Sequence, residues 1–545
     1  MIEPSGRRLS AGGIVVEREF VGCAALTVLV ASLLLLFGPA PGDAAVHLYR
    51  TFLVRNGDFV WDNYWYAGHY PLASYSLLYY LPAAVVGNLP LVLAAAVVST
   101  LLFASIARHE WGDAALWPSR VFGVCAAAPL FTGLYSYSLG FAAMLATVWA
   151  LQSRRTWAAV VLAALTLGFS PLAFGFLCLV LLSGLVARRR LTATSVAMAV
   201  ALVALAGFEL LVLHLFPAKG FYPVHAINLI AMIAVTTLGA LLSRRARGGA
   251  VLTAFFVLWC AGGILASVVA SPVGDNWTRL NEFVFPLMLL TASLARFQPR
   301  KLVVAALAMA LVYNVTPYLL LIPYRLDNRP ATASYWQPAV TFLQHHSEPG
   351  YRVEVVPTAA HWEAYWIPRQ GFALARGWYR QLDAVDNPVL YARTLPAAAF
   401  RQWLRERAVE YVLLPSTHLD AIGAPQEARL LRSGTSGLLV AYHSRDWTIY
   451  RLPHPTPLLT GPGHPRVLSF GHTSISATVS TPGTYLLREH YVPFWQASGS
   501  ACVRPAPGSN TYIVTGAAGR FTLTIAPTGQ AVLDAAEATT SCHHA

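Results

Sequence analysis

Apolar positions crowd residues 20–322 in runs of roughly 15–25, parted by short polar turns, and then thin out. About 20 apolar residues in helical form cross the hydrocarbon core of a bilayer, so such runs predict membrane spans. They lie near 20–37, 89–107, 119–135, 138–152, 156–168, 171–187, 192–215, 225–243, 250–270, 281–296 and 302–322. The runs 138–152 and 156–168 fall below the ~17 residues a span normally needs. A further apolar stretch, 72–87, carries Pro82 and is parted from the next run only by Gly87-Asn88-Leu89-Pro90. It is assigned to a membrane-surface or re-entrant helix on the outer side, because a twelfth span would upset the sidedness of the charged turns.

Beyond residue 323 the period changes. Residues 325–330 read as a linker, 351–357 alternate like a strand, 400–407 read as a helix and 411–414 as a short apolar strand. Segments 437–442 and 447–452 pair as a hairpin with 443–446 at the turn. From 454 onward short β-prone runs alternate with Gly, Pro, Ser and Thr, which predicts a small β-sandwich over 455–530. The last fifteen residues read as loosely ordered. The predicted fold class is a polytopic α-helical membrane domain of about eleven spans followed by an extracytoplasmic α/β plus β-sandwich region. Its parts are a cytoplasmic N-terminus at 1–19, the membrane domain at 20–322 with an outer loop at 39–71, the α/β region at 323–453, and the β-sandwich-like domain and tail at 454–545.

Composition agrees with that division. Of 545 residues, 12% are charged and 56% hydrophobic, and the mean hydropathy is +0.52. A soluble protein carries about 25% charged residues, so the composition excludes a disordered chain and argues strongly against an ordinary soluble enzyme. The net charge of +13 would suggest nucleic acid in a soluble protein. Here 11 basic residues sit in four turns between apolar runs: Arg154-Arg155, Arg188-Arg189-Arg190, Arg244-Arg245 with Arg247, and Arg296 with Arg300-Lys301. That is the bias of cytoplasmic loops. It predicts a plasma-membrane protein with its N-terminus in the cytoplasm and its C-terminal domain outside, partnered by lipid and not by nucleic acid. No small-residue cleavage site closely follows the first apolar run, which therefore reads as a retained helix.

Cys23, Cys125, Cys178 and Cys260 fall inside apolar runs and read as packing residues. Cys502 and Cys542 fall in the soluble tail, where one disulfide and two free thiols both fit. Within the spans, Glu209 is the acid that lies well inside, with His214 close by. Its simplest role is to snorkel towards the interface or to hydrogen-bond between helices.

Richer chemistry lies in the outer loops. The first contains Asp43, His47, Arg50, Asp58, Trp61, Asp62, Trp65 and His69. If 43–55 is helical, Asp43 and His47 share one face at i, i+4, with Arg50 nearby. A carboxylate there can act as a general base or hold a divalent cation such as Mg or Mn. The aromatic residues could stack on sugar rings or sit in the membrane interface. A second outer loop carries Asp275, Arg279 and Glu282. Arg279 lies on the face that the positive-inside bias leaves poor in cations. Arginine suits bidentate phosphate binding, and a salt bridge to Asp275 or Glu282 is the plainer alternative.

One span followed by Gly42-Asp43-x3-His47, then Gly57, Trp61, Gly68 and the Tyr75/Tyr79 region, resembles the GT-C superfamily of membrane glycosyltransferases. Residues 133–141, Arg279-x3-Phe283-x2-Pro286, Glu410-Tyr411-Val412-Leu413-Leu414 and the Tyr491-x-Pro493-x-Trp495 segment are similar to its bacterial branch of 6-pyruvoyl-tetrahydropterin-synthase-related or YfhO-like membrane proteins. The resemblance implies a polyprenyl-phosphate sugar donor, a glycan, lipid or protein acceptor, and chemistry on the outer face. It implies Asp43 as base or metal ligand and Arg279 as a phosphate contact. His47, Arg50, Asp58, Trp61, Trp65, His69, Asp275 and Glu282 are the candidate substrate contacts. The chain departs from many relatives in having Ser170-Pro171 where they have His-Pro. A non-catalytic scaffold of envelope assembly and a lipid or solute transporter are the alternative functions.

Overall fold

The computed structural model describes residues 18–70, 72, 75–216, 220, 222–271, 273–529 and 542. The predicted cytoplasmic segment therefore lies almost wholly outside the described residues, as do the last fifteen residues apart from Cys542.

The membrane part is a helical bundle. Its helices are α1 (Arg18–Phe37), α2 (Ala44–Arg55), α3 (Tyr80–Val86), α4 (Asn88–Trp111), α5 (Leu116–Cys125), α6 (Pro129–Thr132) and α7 (Tyr135–Gln152). They continue with α8 (Thr156–Phe169), α9 (Pro171–Arg188), α10 (Ala193–Leu215), α11 (Ala226–Ser243), α12 (Ala250–Val268), α13 (Val284–Leu294) and α14 (Arg300–Arg325). Among the described residues seven helical segments are long and apolar enough to cross a membrane. Helix α10 makes the physical case. Of its 23 residues only Met198 is buried, and Val200, Val203, Leu210 and Leu211 are exposed. An apolar surface of that extent is stable against lipid and costly against water.

Seven is fewer than the eleven apolar runs, for local reasons. The run near 119–135 breaks after Cys125 and ends at Gly133, which caps α6 in the left-handed conformation (φ +86°). It counts with α4 as one long apolar segment. The run 281–296 begins as the end of a 3-10 segment, Gly274–Phe283, and leaves only the 11 residues of α13. Helix α8 has 14 residues, and α7 is packed largely inside the protein. Among the described residues the α-helix in the stretch 72–87 is the seven residues of α3.

Contacts distinguish the two ends of the bundle. At one end Arg120 pairs with Glu19 at 2.8 Å, Arg188 with Glu110 at 3.6 Å, and Trp111 Nε1 donates to the Gly248 carbonyl at 3.2 Å. At the other, the Asp43 amide donates to the Thr132 carbonyl at 3.0 Å and the Ala40 amide to Asn328 Oδ1 at 2.8 Å. The Phe216 ring lies 5.2 Å from that of Phe494 at this second end. The first loop and the C-terminal region thus share one end, opposite the start of α1.

Helix α14 runs to Arg325, so the C-terminal region starts just after it. Helix α15 (Ala333–His346) leads into β1 (Arg352–Val355), followed by α16 (Glu363–Arg369), α17 (Arg380–Asp386), α18 (Ala397–Glu406), β2 (Val409–Pro415), α19 (Pro425–Arg432), β3 (Leu439–His443) and β4 (Trp447–Arg451). These strands form one sheet in the order β1-β2-β4-β3, with β1 and β2 parallel and the hairpin antiparallel. The sandwich strands are β5 (Leu459–Thr460), β6 (Arg466–Phe470), β7 (Ser474–Val479), β8 (Gly483–His490), β9 (Trp495–Ala497), β10 (Ala501–Pro505), β11 (Asn510–Thr515) and β12 (Gly519–Ile525). They make two sheets, β10-β11-β8-β5 and β6-β7-β12-β9. Burial alternates along β8 and β11, as an inner face and an outer face require. Cys502 in β10 is disulfide-bonded to Cys542.

The first loop is not a free loop. Ala44, Tyr49, Trp61, Trp65 and Tyr66 share one apolar core with Trp336, Leu374, Tyr411 and Trp447 of the α/β region. That shared core fixes the C-terminal region over the membrane end that holds Asp43.

Candidate active site

Asp43 stands at the N-cap of α2, yet its side chain makes no capping hydrogen bond. An N-cap aspartate ordinarily accepts from the amides of the first turn. Here the carboxylate turns away and accepts from Tyr75 Oη at 3.3 Å, and Arg279 Nη2 lies 3.7 Å from the same Oδ2. Gly133 makes this placement possible. A Cβ at that position would meet the Asp43 amide nitrogen at 2.5 Å, so only glycine lets the loop after α6 pass so close.

Arg279 sits in the 3-10 segment, and its Nε donates to Asn276 Oδ1 at 3.0 Å. Its ion-pair partner is therefore Asp43, not Asp275 or Glu282. The side chains of Arg279 and Asp43 keep 28% and 20% of their exposure, so both are reachable. Their 3.7 Å separation exceeds a hydrogen bond, which leaves guanidinium donors and carboxylate lone pairs for other groups. Tyr222 is within electrostatic reach of Arg279, Asp43 and Arg380, and burial, with the nearby acids, raises its phenol. The Trp378 ring meets Tyr75 edge-on at 5.6 Å, and its buried Nε1 has no hydrogen-bond partner. Membrane-end residues and residues of the α/β region thus surround the Asp43–Arg279 pair together.

His47 lies one turn below Asp43, fully buried among the rings of Tyr75, Tyr79, Tyr80 and Tyr135. Burial, with the Arg50 charge adding to it, holds its imidazole well below the ordinary range. A neutral, caged histidine supports the helix face that carries Asp43. Arg50 is buried too. It donates to Tyr379 Oη at 3.1 Å and to the Leu72 carbonyl at 2.9 Å, with its guanidinium 4.7 Å from the Tyr80 ring centre. It ties the first loop to the α/β region.

The other residues singled out from the sequence go elsewhere. Trp61 and Trp65 are buried, their indole NH groups donating to Asn63 Oδ1 and the Ala364 carbonyl, so neither offers a ring face to a sugar. Asp58 accepts from Thr473, and Asp62 joins Tyr49 Oη at 2.9 Å and His472 Nδ1 at 2.8 Å; both fasten the loop to the sandwich. His69 meets Asp386 at 3.0 Å. Asp275 is held by Asn228 Nδ2 at 3.0 Å. Glu282 is buried next to Asn314, which donates to its backbone carbonyl.

The protein side chains around Asp43 do not by themselves make a cage for a divalent cation. Asp43 belongs to no group of three His, Cys, Asp or Glu side chains close enough to share an ion among the described residues. Were Mg²⁺ or Mn²⁺ to bind there, Asp43 would be its carboxylate ligand, and water and the substrate phosphate would have to supply the remaining oxygens.

Sequence reasoning missed Tyr222, Trp378 and Arg380. They lie in segments that carry no motif and reach the site only through the long-range docking of the C-terminal region. Tyr75 was visible only as part of an aromatic cluster.

No family model matches the chain, and no curated protein matches it. Among solved structures it is similar to the cryo-EM structure of a mutant arabinofuranosyltransferase AftD from mycobacteria, at 16% sequence identity and a TM-score of 0.48. The match covers 84% of this chain but 42% of that one, so this chain spans less than half the length of the protein it is similar to.

Proposed function

We propose that this chain is a membrane glycosyltransferase of the GT-C type, moving a sugar from a polyprenyl-phosphate donor to an extracytoplasmic glycan, lipid or protein acceptor. The observation that carries the reading is the pairing of Asp43 with Arg279, reachable and 3.7 Å apart, at the bundle end capped by the C-terminal region. A base and a phosphate-binding cation side by side are what displacement at an anomeric carbon needs.

The acceptor hydroxyl oxygen attacks the anomeric carbon and its proton passes to Asp43. The bond from that carbon to the phosphate oxygen breaks, and its electron pair leaves on polyprenyl phosphate. Arg279 meets the charge that develops there. Tyr75 orients the Asp43 carboxylate through its hydrogen bond. The acceptor enters from the side of Trp378 and Arg380. On this reading the basic turns face the cytoplasm and the C-terminal region faces outward. The narrower likeness to YfhO-like proteins rests on the sequence motifs alone.

The test is transfer from labelled polyprenyl-phosphate sugars in membranes containing the wild type or Asp43→Asn. Transfer that depends on Asp43 supports the reading. Equal transfer by both proteins overturns it.

A further inference from the structure

Outside the Asp43 site, three segments far apart in sequence bring metal-ligating side chains together. His69 comes from the first loop, Asp386 from the end of α17, and His490 from the end of β8. Their ligand atoms all lie within 4.8 Å of one another, and all three residues are partly buried. His69 Nδ1 is 3.0 Å from Asp386 Oδ2, and the His69 and His490 rings are 4.9 Å apart. Two ligands on one tetrahedral zinc ion stand roughly 3.3 Å from each other, given bonds of about 2.0–2.1 Å. The first pair already meets that spacing, and His490 lies close enough to join it by a small side-chain adjustment.

The backbone is bent to deliver His69 to this place. Tyr66, Ala67 and Gly68 are all left-handed, with φ of 52°, 54° and 78°. Two of the three are not glycine, an arrangement that costs energy and survives only where the surroundings impose it. Gly68 is pressed against Glu489, the neighbour of His490, where a Cβ would meet Oε1 at 2.5 Å. Asp386 is anchored from behind, since its backbone carbonyl accepts from Arg407 Nη2 at 2.5 Å.

We propose that His69, Asp386 and His490 form a binding site for one divalent cation of the zinc class, which clamps the first loop to both halves of the C-terminal region. Two imidazoles and one carboxylate suit zinc or its borderline neighbours, whereas Mg²⁺ and Ca²⁺ take oxygen ligands. Three protein ligands leave the fourth position to water. The clamp is separate from the transfer chemistry and stands whether or not this chain transfers sugar. Because the unfolded chain lacks the preformed site, binding stabilises the folded arrangement.

The test uses the full chain purified in detergent, stripped with chelator and titrated with Zn²⁺. Expected are one bound equivalent, a higher thermal midpoint, and an X-ray absorption spectrum at the zinc edge with two imidazoles and oxygen ligands. His490→Gln and Asp386→Asn each weaken binding by tenfold or more. His345→Gln/His346→Gln, which removes a histidine pair on α15, leaves it unchanged. Absence of stoichiometric binding by the wild type, a spectrum without two imidazoles, or loss of binding in the α15 variant overturns the proposal. The spectrum of the wild type decides the matter even if a site variant fails to fold.

Discussion

Arg279 Nη2 stands 3.7 Å from Asp43 Oδ2, although one residue follows the first span and the other lies most of the membrane domain later. The pair is longer than a hydrogen bond and both side chains stay partly exposed, which leaves their donors and lone pairs open to a third partner. If Asp43 is the base, Asp43→Asn lowers transfer by about 10²–10⁴-fold without loss of folded protein. If Arg279 meets the leaving phosphate, Arg279→Gln lowers it by about 10²–10³-fold, and Arg279→Lys restores part. Initial rates on a labelled lipid-linked donor, compared at equal amounts of monodisperse protein, check both.

Gly133 offers a subtler probe. An added Cβ would strike the Asp43 and Ala44 amides, and φ of +86° disfavours any side chain. Gly133→Ala therefore pushes Asp43 out of register with Arg279. A misplacement of about 1 Å can cost about 10²-fold in rate, so transfer falls far more than thermal stability does. Measuring both quantities on one preparation tests this.

The contact of His472 with Asp62 predicts a pH dependence. Burial acts to lower the His472 imidazole, but the hydrogen bond and charge of Asp62 outweigh it and leave it above its ordinary value. A raised histidine contributes stability that is complete below the unfolded value of about 6.5 and is lost as pH rises through the folded value. The His472 contribution is therefore expected to shrink as pH rises from about 6 to 8, so over that range the wild type loses more of its thermal midpoint than His472→Gln does. Thermal unfolding of both proteins across the pH series checks the difference.

Arg376 pairs with Glu354 and also with Glu427 at 2.6 Å, and donates to the Gly423 carbonyl at 3.1 Å, all deep in the α/β region. Arg376→Met leaves three buried carboxylates, Glu354, Glu427 and Asp383 (3.6 Å away), without their cation. Breaking such a network costs about 3–5 kcal/mol, expected as a large drop in the thermal midpoint. Replacing Glu427 by Gln as well recovers part of it, because one of the stranded charges is then gone.

Several features were legible along the chain because they are local. The apolar stretch of α10 and the alternating residues of β8 record their surroundings in a period of hydropathy. Asp43 stood out as an acid just past a span, and Arg279 as a cation on an unusual face. That they meet was not legible. Asp58, Asp62, Trp61, Trp65 and His69 read as equally good site residues, yet their partners are Thr473, His472, Asn63, Ala364 and Asp386. All of these except Asn63 lie about 300 residues or more away.

The sequence alone determined where the chain is apolar enough for a membrane, which turns are basic, and where the sandwich begins. These depend on side-chain chemistry read over a few turns or strands. The tertiary structure alone decided which polar groups of the first loop are consumed in docking the C-terminal region and which stay open. Docking buries Arg50, Asp62 and Trp65 and leaves Asp43 and Arg279 partly exposed. The reason is that a polar group entering a core must find its hydrogen-bond partner there, and that partner is supplied by the fold rather than by its neighbours in the chain.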